Sequence, residues 1–342
     1  MPIVIKPLLP EQEEEALLFL QPYESECVNL ASEILWGATD CWALYYAEPS
    51  QASGSIASQT ETRANSGGDL QGQKLAGLFA LRKKRSLFFC LPFAKYKSAF
   101  DKKVCSEAQR PLMEFFESRE PFCVNGEAAG AIFLRNILKN KKSPMRPSVT
   151  NKYFLMVSGQ ARANSGIEAR SQDSVEENQE ASQNKKAVHA QNSGGGSGAA
   201  GGLRVIQAMA ADYERLLPLE LGYQREEVVP ASFDISDAAL GAAFKHELGQ
   251  GLTFALYDGD RPIAKARVSA CGLRHCMLGG VYTIPSERKK GRAAFLVRQI
   301  IARQSLAFNG FCLYAKQENA AALALYKSLG FVPRGEYLLV YY

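Results

Sequence analysis

Residues 279–294 read Gly279-Gly280-Val281-Tyr282-Thr283-Ile284-Pro285-Ser286-Glu287-Arg288-Lys289-Lys290-Gly291-Arg292-Ala293-Ala294. The stretch predicts a strand that runs into a turn, then a glycine-containing loop, then a long helix from about Arg292 to Phe308. A helix N-terminus presents backbone N–H groups that have no intrahelical acceptor, and it carries a partial positive charge. Such an end suits a phosphate group. Gly291 lets backbone approach a ligand with no Cβ in the way, and the small Ala293 and Ala294 leave similar room. Arg288, Lys289, Lys290 and Arg292 add charge complementary to a diphosphate. A solvated basic helix start has the same composition, so the charges alone decide nothing; the strand–loop–helix context carries more weight. Gly279-Gly280 inside the strand predicts a bulge or a close backbone approach. Open backbone groups there are able to pair with an extended amide-bearing ligand, in the manner of an added strand.

A second stretch follows downstream: Gln317-Glu318-Asn319-Ala320-Ala321-Ala322-Leu323-Ala324-Leu325-Tyr326-Lys327-Ser328-Leu329-Gly330-Phe331. It predicts a helix with Gly330 as its stop. Asn319 and Tyr326 are separated by about two turns and share one face. A core tyrosine would satisfy the same spacing.

Taken together, these residues resemble the GCN5-related N-acetyltransferase (GNAT) superfamily. Arg288-Lys289-Lys290-Gly291-Arg292-Ala293 is similar to that family's Q/R-x-x-G-x-G/A loop. Asn319, Ala322, Leu325-Tyr326 and Leu329-Gly330-Phe331 are similar to its N-x-x-A-x-x-L-Y-x-x-x-G-F segment. The resemblance covers Leu203 to Tyr342 and implies an α+β fold, a mixed and largely antiparallel sheet flanked by helices. It implies acetyl-CoA as co-substrate, with no metal, wedged between the strand ending at Thr283 and the strand Phe311–Ala315. Backbone at Val281, Tyr282 and Thr283 would pair with the pantetheine amides. The pyrophosphate would sit on the N–H groups from Lys289 to Ala294, flanked by the Arg288, Lys290 and Arg292 side chains. Asn319 would contact the cofactor arm, and Tyr326 would be the general acid for the departing thiolate. The implied reaction is direct attack by a primary amine on the thioester.

Such an attack needs a deprotonated amine, hence a base or a water relay. Family members often carry a Glu on the strand before the loop, but Cys276–Tyr282 holds no carboxylate. Glu226 and Glu227, between the early helices, are the candidates, although paired glutamates also mark solvated faces. The missing strand carboxylate leaves an alternative: a non-catalytic acyl-CoA-binding sensor or scaffold.

The remaining sequence sets the context. The chain has 342 residues and a hydrophobic fraction of 46%, enough for about two domains with real cores. Two polar stretches, about 49–73 and 159–202, lack large apolar residues and are expected to be disordered. Both contain Arg-Ala-Asn-Ser-Gly, at Arg63–Gly67 and Arg162–Gly166. They divide the chain into an N-terminal α+β domain (1–158), a linker (159–202) and the acetyltransferase-like domain (203–342). The two folded pieces share a rough order of helices and strands, which suggests a duplication with a degenerate N-terminal copy. There, Asn125-Gly126-Glu127-Ala128-Ala129-Gly130-Ala131 takes the expected place of the phosphate loop without its basic residues, and Arg82-Lys83-Lys84-Arg85 reads as a solvated hairpin tip. The eight cysteines form no C-x-x-C pair, and His275 beside Cys276 reads as structural. A net charge of +5 is well short of a dedicated nucleic-acid binder. With no signal-peptide pattern and no long apolar run, the expectation is a cytoplasmic protein whose partner is a small-molecule or peptide amine, neither nucleic acid nor membrane.

Overall fold

The computed structural model describes residues 2–47, 73–82, 85–158, 202–229 and 233–342. The two expected disordered stretches, and Lys83-Lys84 of the basic hairpin tip, fall outside them. The first half comprises β1 (Ile3–Pro7), α1 (Glu13–Leu20), α2 (Val28–Leu35), β2 (Cys41–Ala47), β3 (Gln73–Arg82), β4 (Ser86–Cys90), α3 (Ala99–Phe116), β5 (Cys123–Glu127), α4 (Ala128–Asn140) and β6 (Val149–Ser158). The second half comprises β7 (Leu203–Ala208), α5 (Tyr213–Tyr223), α6 (Asp237–Leu248), β8 (Thr253–Asp258), β9 (Arg261–Cys271), β10 (His275–Thr283), α7 (Arg292–Gln304), β11 (Gly310–Lys316), α8 (Ala320–Ser328) and β12 (Phe331–Tyr341). No described helix is long and apolar enough to cross a membrane.

The chain forms two compact units, Met1–Lys152 with Glu336–Tyr342, and Tyr153–Gly335. The first unit has strand order β1-β2-β3-β4-β5-β12 and the second β7-β8-β9-β10-β11-β6. In both, the first four strands are antiparallel, the fourth and fifth are parallel, and the sixth is antiparallel to the fifth. The halves are two copies of one topology, with the last strand of each contributed by the other half of the sequence. Phe154–Val157 lie beside β11, and Tyr337–Tyr341 lie beside β5. The units therefore differ from the sequence division at 158 and 203 in these strands. Backbone pairing decides the exchange, and a sequence pattern does not report partner identity.

Each unit has its own apolar core. Leu44, Phe79, Leu87, Val104, Leu112 and Phe116 are buried in the first, Phe254, Leu256, Val268, Leu278, Leu313 and Phe331 in the second. In α7 the buried Leu296, Val297 and Ile300 lie on one face and lock the helix against β8, β9 and β10. That packing fixes where the N-terminus of α7 points.

The Gly330 helix stop and the Gly279-Gly280 irregularity expected from the sequence are present. Asp258-Gly259-Asp260 turns between β8 and β9 with Gly259 at φ +59°, and Gly330 follows α8 at φ +84°. Gly279-Gly280 opens a register shift against β9 between Gly279 and Tyr282.

Candidate functional site

The ladder between β10 and β11 runs from His275–Gly310 to Leu278–Leu313 and stops there. Both strands continue, β10 to Thr283 and β11 to Lys316, so they part and leave a V-shaped opening. Within it lies a cleft of about 520 Å³. Val281, Tyr282 and Thr283 line it from β10, and Arg288, Lys289, Gly291, Arg292, Ala293 and Ala294 from the loop and helix start. Asn319 and Tyr326 line it from the α8 side, and Glu226 and Glu227 from a π-turn after α5. Residues far apart in sequence thus converge; of the predicted loop residues, Lys290 alone does not line the cleft.

The loop residues Ile284–Gly291 leave this helix end open. Gly291 is the N-cap of α7 at φ +72°, a left-handed conformation that places no side chain over the helix end. A Cβ built there meets nothing within 4 Å, so the space beside it is open. Lys289 is also left-handed, at φ +62°. Among the described residues, the backbone N–H groups from Lys289 to Ala294 have no acceptor; the first satisfied donor is Phe295, bonded to Gly291 O at 3.0 Å. These groups form a donor cradle at the positive end of a helix dipole.

The side-chain charges are arranged differently from the simple expectation of a cationic loop. Arg288 donates to Thr283 O at 2.9 Å and to Glu226 Oε2 at 2.8 Å. Lys290 and Arg292 both bind Glu287, at 3.1 and 3.3 Å. Lys289 has no ion-pair partner among the described residues. Much of the loop's charge is neutralised within the protein, whereas the backbone donors are unengaged.

The two candidate bases occupy different surroundings. Burial raises the Glu226 pKa, but hydrogen bonds from Tyr282 (2.8 Å) and Arg288 outweigh it and hold the carboxyl below its ordinary range. Both of its oxygens are engaged. Glu227 accepts from Asn319 Nδ2 at 3.1 Å and lies 3.8 Å from Lys316 Nζ. Asn319 also caps α8 through Oδ1, which accepts from Ala322 N at 2.9 Å. Its side chain is therefore occupied at both ends. Tyr326 is 7% exposed. Burial first, then the fields of Tyr223 and Glu227, push its hydroxyl well above the ordinary tyrosine range, so it stays protonated at neutral pH.

Among the described residues that line the cleft, one buried side-chain polar atom has no partner. Thr283 Oγ1 is buried with no hydrogen-bond partner. Buried hydroxyls are normally paired.

The first unit is sealed at the equivalent place. Its β4–α3 loop, Leu91–Ser98, matches Ile284–Gly291 in length and position, and each has Pro as its second residue. Where Gly291 leaves α7 open, Ser98 caps α3 through a capping box with Asp101. The Phe89 ring fills the space beside Gly126 and Gly130, where added Cβ atoms would come within 2.2 and 2.3 Å of it. The remaining void is about 10 Å³. This corrects the placing of Asn125–Ala131 as the phosphate-loop counterpart. The strand order puts that stretch at the counterpart of the β11–α8 junction, with Glu127 capping α4 as Asn319 caps α8.

Among the described residues, no group of three or more His, Cys, Asp or Glu side chains is placed to hold a metal. His275 packs its ring against Gly310.

Comparisons with known proteins agree with this architecture. Residues 214–331 match the model of the acetyltransferase (GNAT) family. No curated protein matches the chain. Among solved structures, a Drosophila protein shares the fold over 99% of this chain and 98% of its own, at 10% identity and a TM-score of 0.52. A GNAT-family chain from Novosphingobium aromaticivorans is 18% identical with a TM-score of 0.34; the match covers 57% of this chain and 65% of that one. The ribosomal-protein-S18-alanine N-acetyltransferase of Escherichia coli is 21% identical with a TM-score of 0.32, over 41% of this chain and 92% of its own. Residues 214–331 thus belong to the acetyltransferase (GNAT) family.

Proposed function

We propose that the second unit binds acetyl-CoA in the β10–β11 cleft and transfers its acetyl group to a primary amine by direct attack. The observation that carries this reading is the uncapped start of α7. Its unpartnered N–H groups, Lys289 to Ala294, adjoin a strand pair that has parted. Together they suit a ligand with a diphosphate at one end and an extended amide arm.

The chain's own residues divide the work. The α7 N-terminus holds the pyrophosphate, and the unpaired edge of β10 at Val281 to Thr283 takes the pantetheine amides. Tyr326, protonated and sheltered, donates to the departing thiolate. Glu226 is a latch, because its carboxylate is held ionised by Arg288 and Tyr282. Glu227 is then the carboxylate that takes the amine proton, directly or through water. Asn319 acts through Glu227 and the α8 start, and not as a free side chain on the cofactor arm. The sealed first unit takes no cofactor, so one acetyl-CoA binds per chain. The acceptor is a small-molecule or peptide amine.

Acetyl-CoA binding followed by a thiol-release assay across a broad amine panel tests the reading. Amine-dependent release of CoA is expected. Tight binding with no turnover on any amine would leave an acyl-CoA-binding module, the reading that the carboxylate-free β10 favours.

A further inference from the structure

An ion pair lies buried under the β10 bulge, outside the cleft. Lys265 of β9 is 1% exposed and Glu220 of α5 is 3% exposed. Lys265 Nζ lies 2.6 Å from Glu220 Oε2 and donates to Gly280 O at 3.1 Å. It also sits 4.4 Å from the centre of the Tyr223 ring. The carbonyl of the bulge glycine is thereby held from the protein interior.

Taking two charges out of water is expensive, and a buried pair is weak evidence of a stability role. The chain contains its own comparison. Ala43-Leu44-Tyr45 and Ala255-Leu256-Tyr257 occupy the same place on the second strand of each unit, and each strand pair shifts register just after the Leu. Ala43 pairs with Leu78 where Ala255 pairs with Lys265. Leu20 precedes Tyr23 as Glu220 precedes Tyr223, at the ends of α1 and α5. Leu20 and Leu78 are both 0% exposed. This topology has a buried leucine at each of the two places in the sealed unit and carries Glu and Lys in the unit with the open cleft.

We propose that Glu220 and Lys265 are positioning residues that fix and polarise the Gly280–Val281 peptide, so that the Val281 N–H donates to the acyl carbonyl oxygen of the bound thioester. The peptide is trans and planar, so its carbonyl and N–H point in opposite directions. Lys265 on the carbonyl therefore turns the Val281 N–H away from the interior. A cation on the oxygen also polarises the amide and strengthens its N–H as a donor. Val281 borders the cleft and has no partner in either ladder: the β9 register skips it and the β11 ladder ends at Leu278. Burial pulls the Lys265 ammonium toward neutrality, and Glu220 opposes that pull. A donor held ready for a developing oxyanion costs no reorganisation during the reaction. The proposal rests on the acetyl-CoA reading of the cleft.

The test is isotope-edited infrared spectroscopy of carbonyl-labelled acetyl-CoA bound to the full chain. The unaltered protein is expected to lower the thioester carbonyl stretch relative to free acetyl-CoA. Glu220→Leu with Lys265→Leu copies the sealed unit's pair. It should still bind acetyl-CoA, because the pyrophosphate cradle is intact, and should lose the downshift. Glu220→Gln with Lys265→Met, which keeps the side-chain volumes, makes the same test if the leucine pair disturbs folding. A downshift retained in a folded, charge-free variant would overturn the proposal and leave the pair as core packing. No acetyl-CoA binding by the unaltered protein would remove the cleft reading itself, and the proposal with it.

Discussion

Gly291→Ala separates the two roles of the loop glycine, conformational and ligand-binding. Gly291 sits at φ +72°, where an L-residue costs roughly 1–2 kcal/mol. A Cβ there meets no atom within 4 Å, so no steric penalty is added in the free protein. For a unit of this size the loss lowers Tm by roughly 2–8 °C. Gly330, at φ +84° and also with nothing within 4 Å, is the matched control in the same unit. Gly330→Ala should lower Tm by a similar amount. The two variants part in ligand affinity. At 291 the new methyl occupies the open space beside the N–H cradle and displaces a phosphate oxygen from at least one charge-assisted hydrogen bond. Such a bond is worth about 1.5–3 kcal/mol, which corresponds to a roughly 10- to 100-fold rise in the acetyl-CoA Kd. Calorimetric titration of both variants reads the difference, with Gly330→Ala expected to bind as the unaltered chain does. Equal affinities in the two variants would refute the assignment of the α7 start as the phosphate site.

Further outcomes follow from the same geometry. Tyr326→Phe should leave acetyl-CoA affinity unchanged and lower turnover by about 10²-fold or more, the scale of general acid–base assistance; wild-type kcat would make Tyr326 a core residue only. Glu226 has a folded-state pKa below its ordinary value of 4.5, so its latch contributes stability above that pH and loses it as pH falls through the lowered value. Thermal melts against pH should therefore show Glu226→Gln below wild type at neutral pH and converging with it in acid; a constant offset would contradict the latch. Glu227→Gln should lower kcat by about 10²-fold or more with little change in acetyl-CoA affinity, while Glu226→Gln keeps most of the turnover; equal losses in the two variants would contradict the assignment of Glu227 as the base. Residues 203–342 expressed alone lack the strand that covers β11, including the Ser158 hydroxyl that accepts from Phe311 N at 3.0 Å. That fragment should be poorly soluble, and fusing residues 149–158 to it should restore a cooperative melt.

The cleft was largely legible because its chemistry is local. A strand, a glycine at a helix start and an asparagine opening a later helix are short-range signals, and each side chain falls where its element puts it. The ion pairing was not legible. Arg288, Lys290 and Arg292 read as free cations in sequence, but folding brings Glu226 and Glu287 onto them. Lys265 and Glu220 gave no signal, because a lysine in an apolar strand and a glutamate on a helix look solvent-facing until packing buries both. β1 and β7 were missed because they are short edge strands; Pro7 also weakens the pattern of Ile3–Pro7. The strand exchange was invisible for a different reason. Residues 153–157 form a strand, yet no local pattern says that β11, rather than β5, is their neighbour. The duplication was legible as a rough order of elements. Its misplaced counterpart loop at 125–131 shows that small residues between strand and helix do not distinguish one such junction from another.

Hydrogen exchange of the full chain with and without acetyl-CoA tests the central claim most directly. The account predicts ligand-dependent protection of the amides at 281–283 and 289–294, with none at 91–98 in the sealed first unit. Unchanged exchange at 289–294 under saturating acetyl-CoA, or protection centred on 91–98, would contradict it.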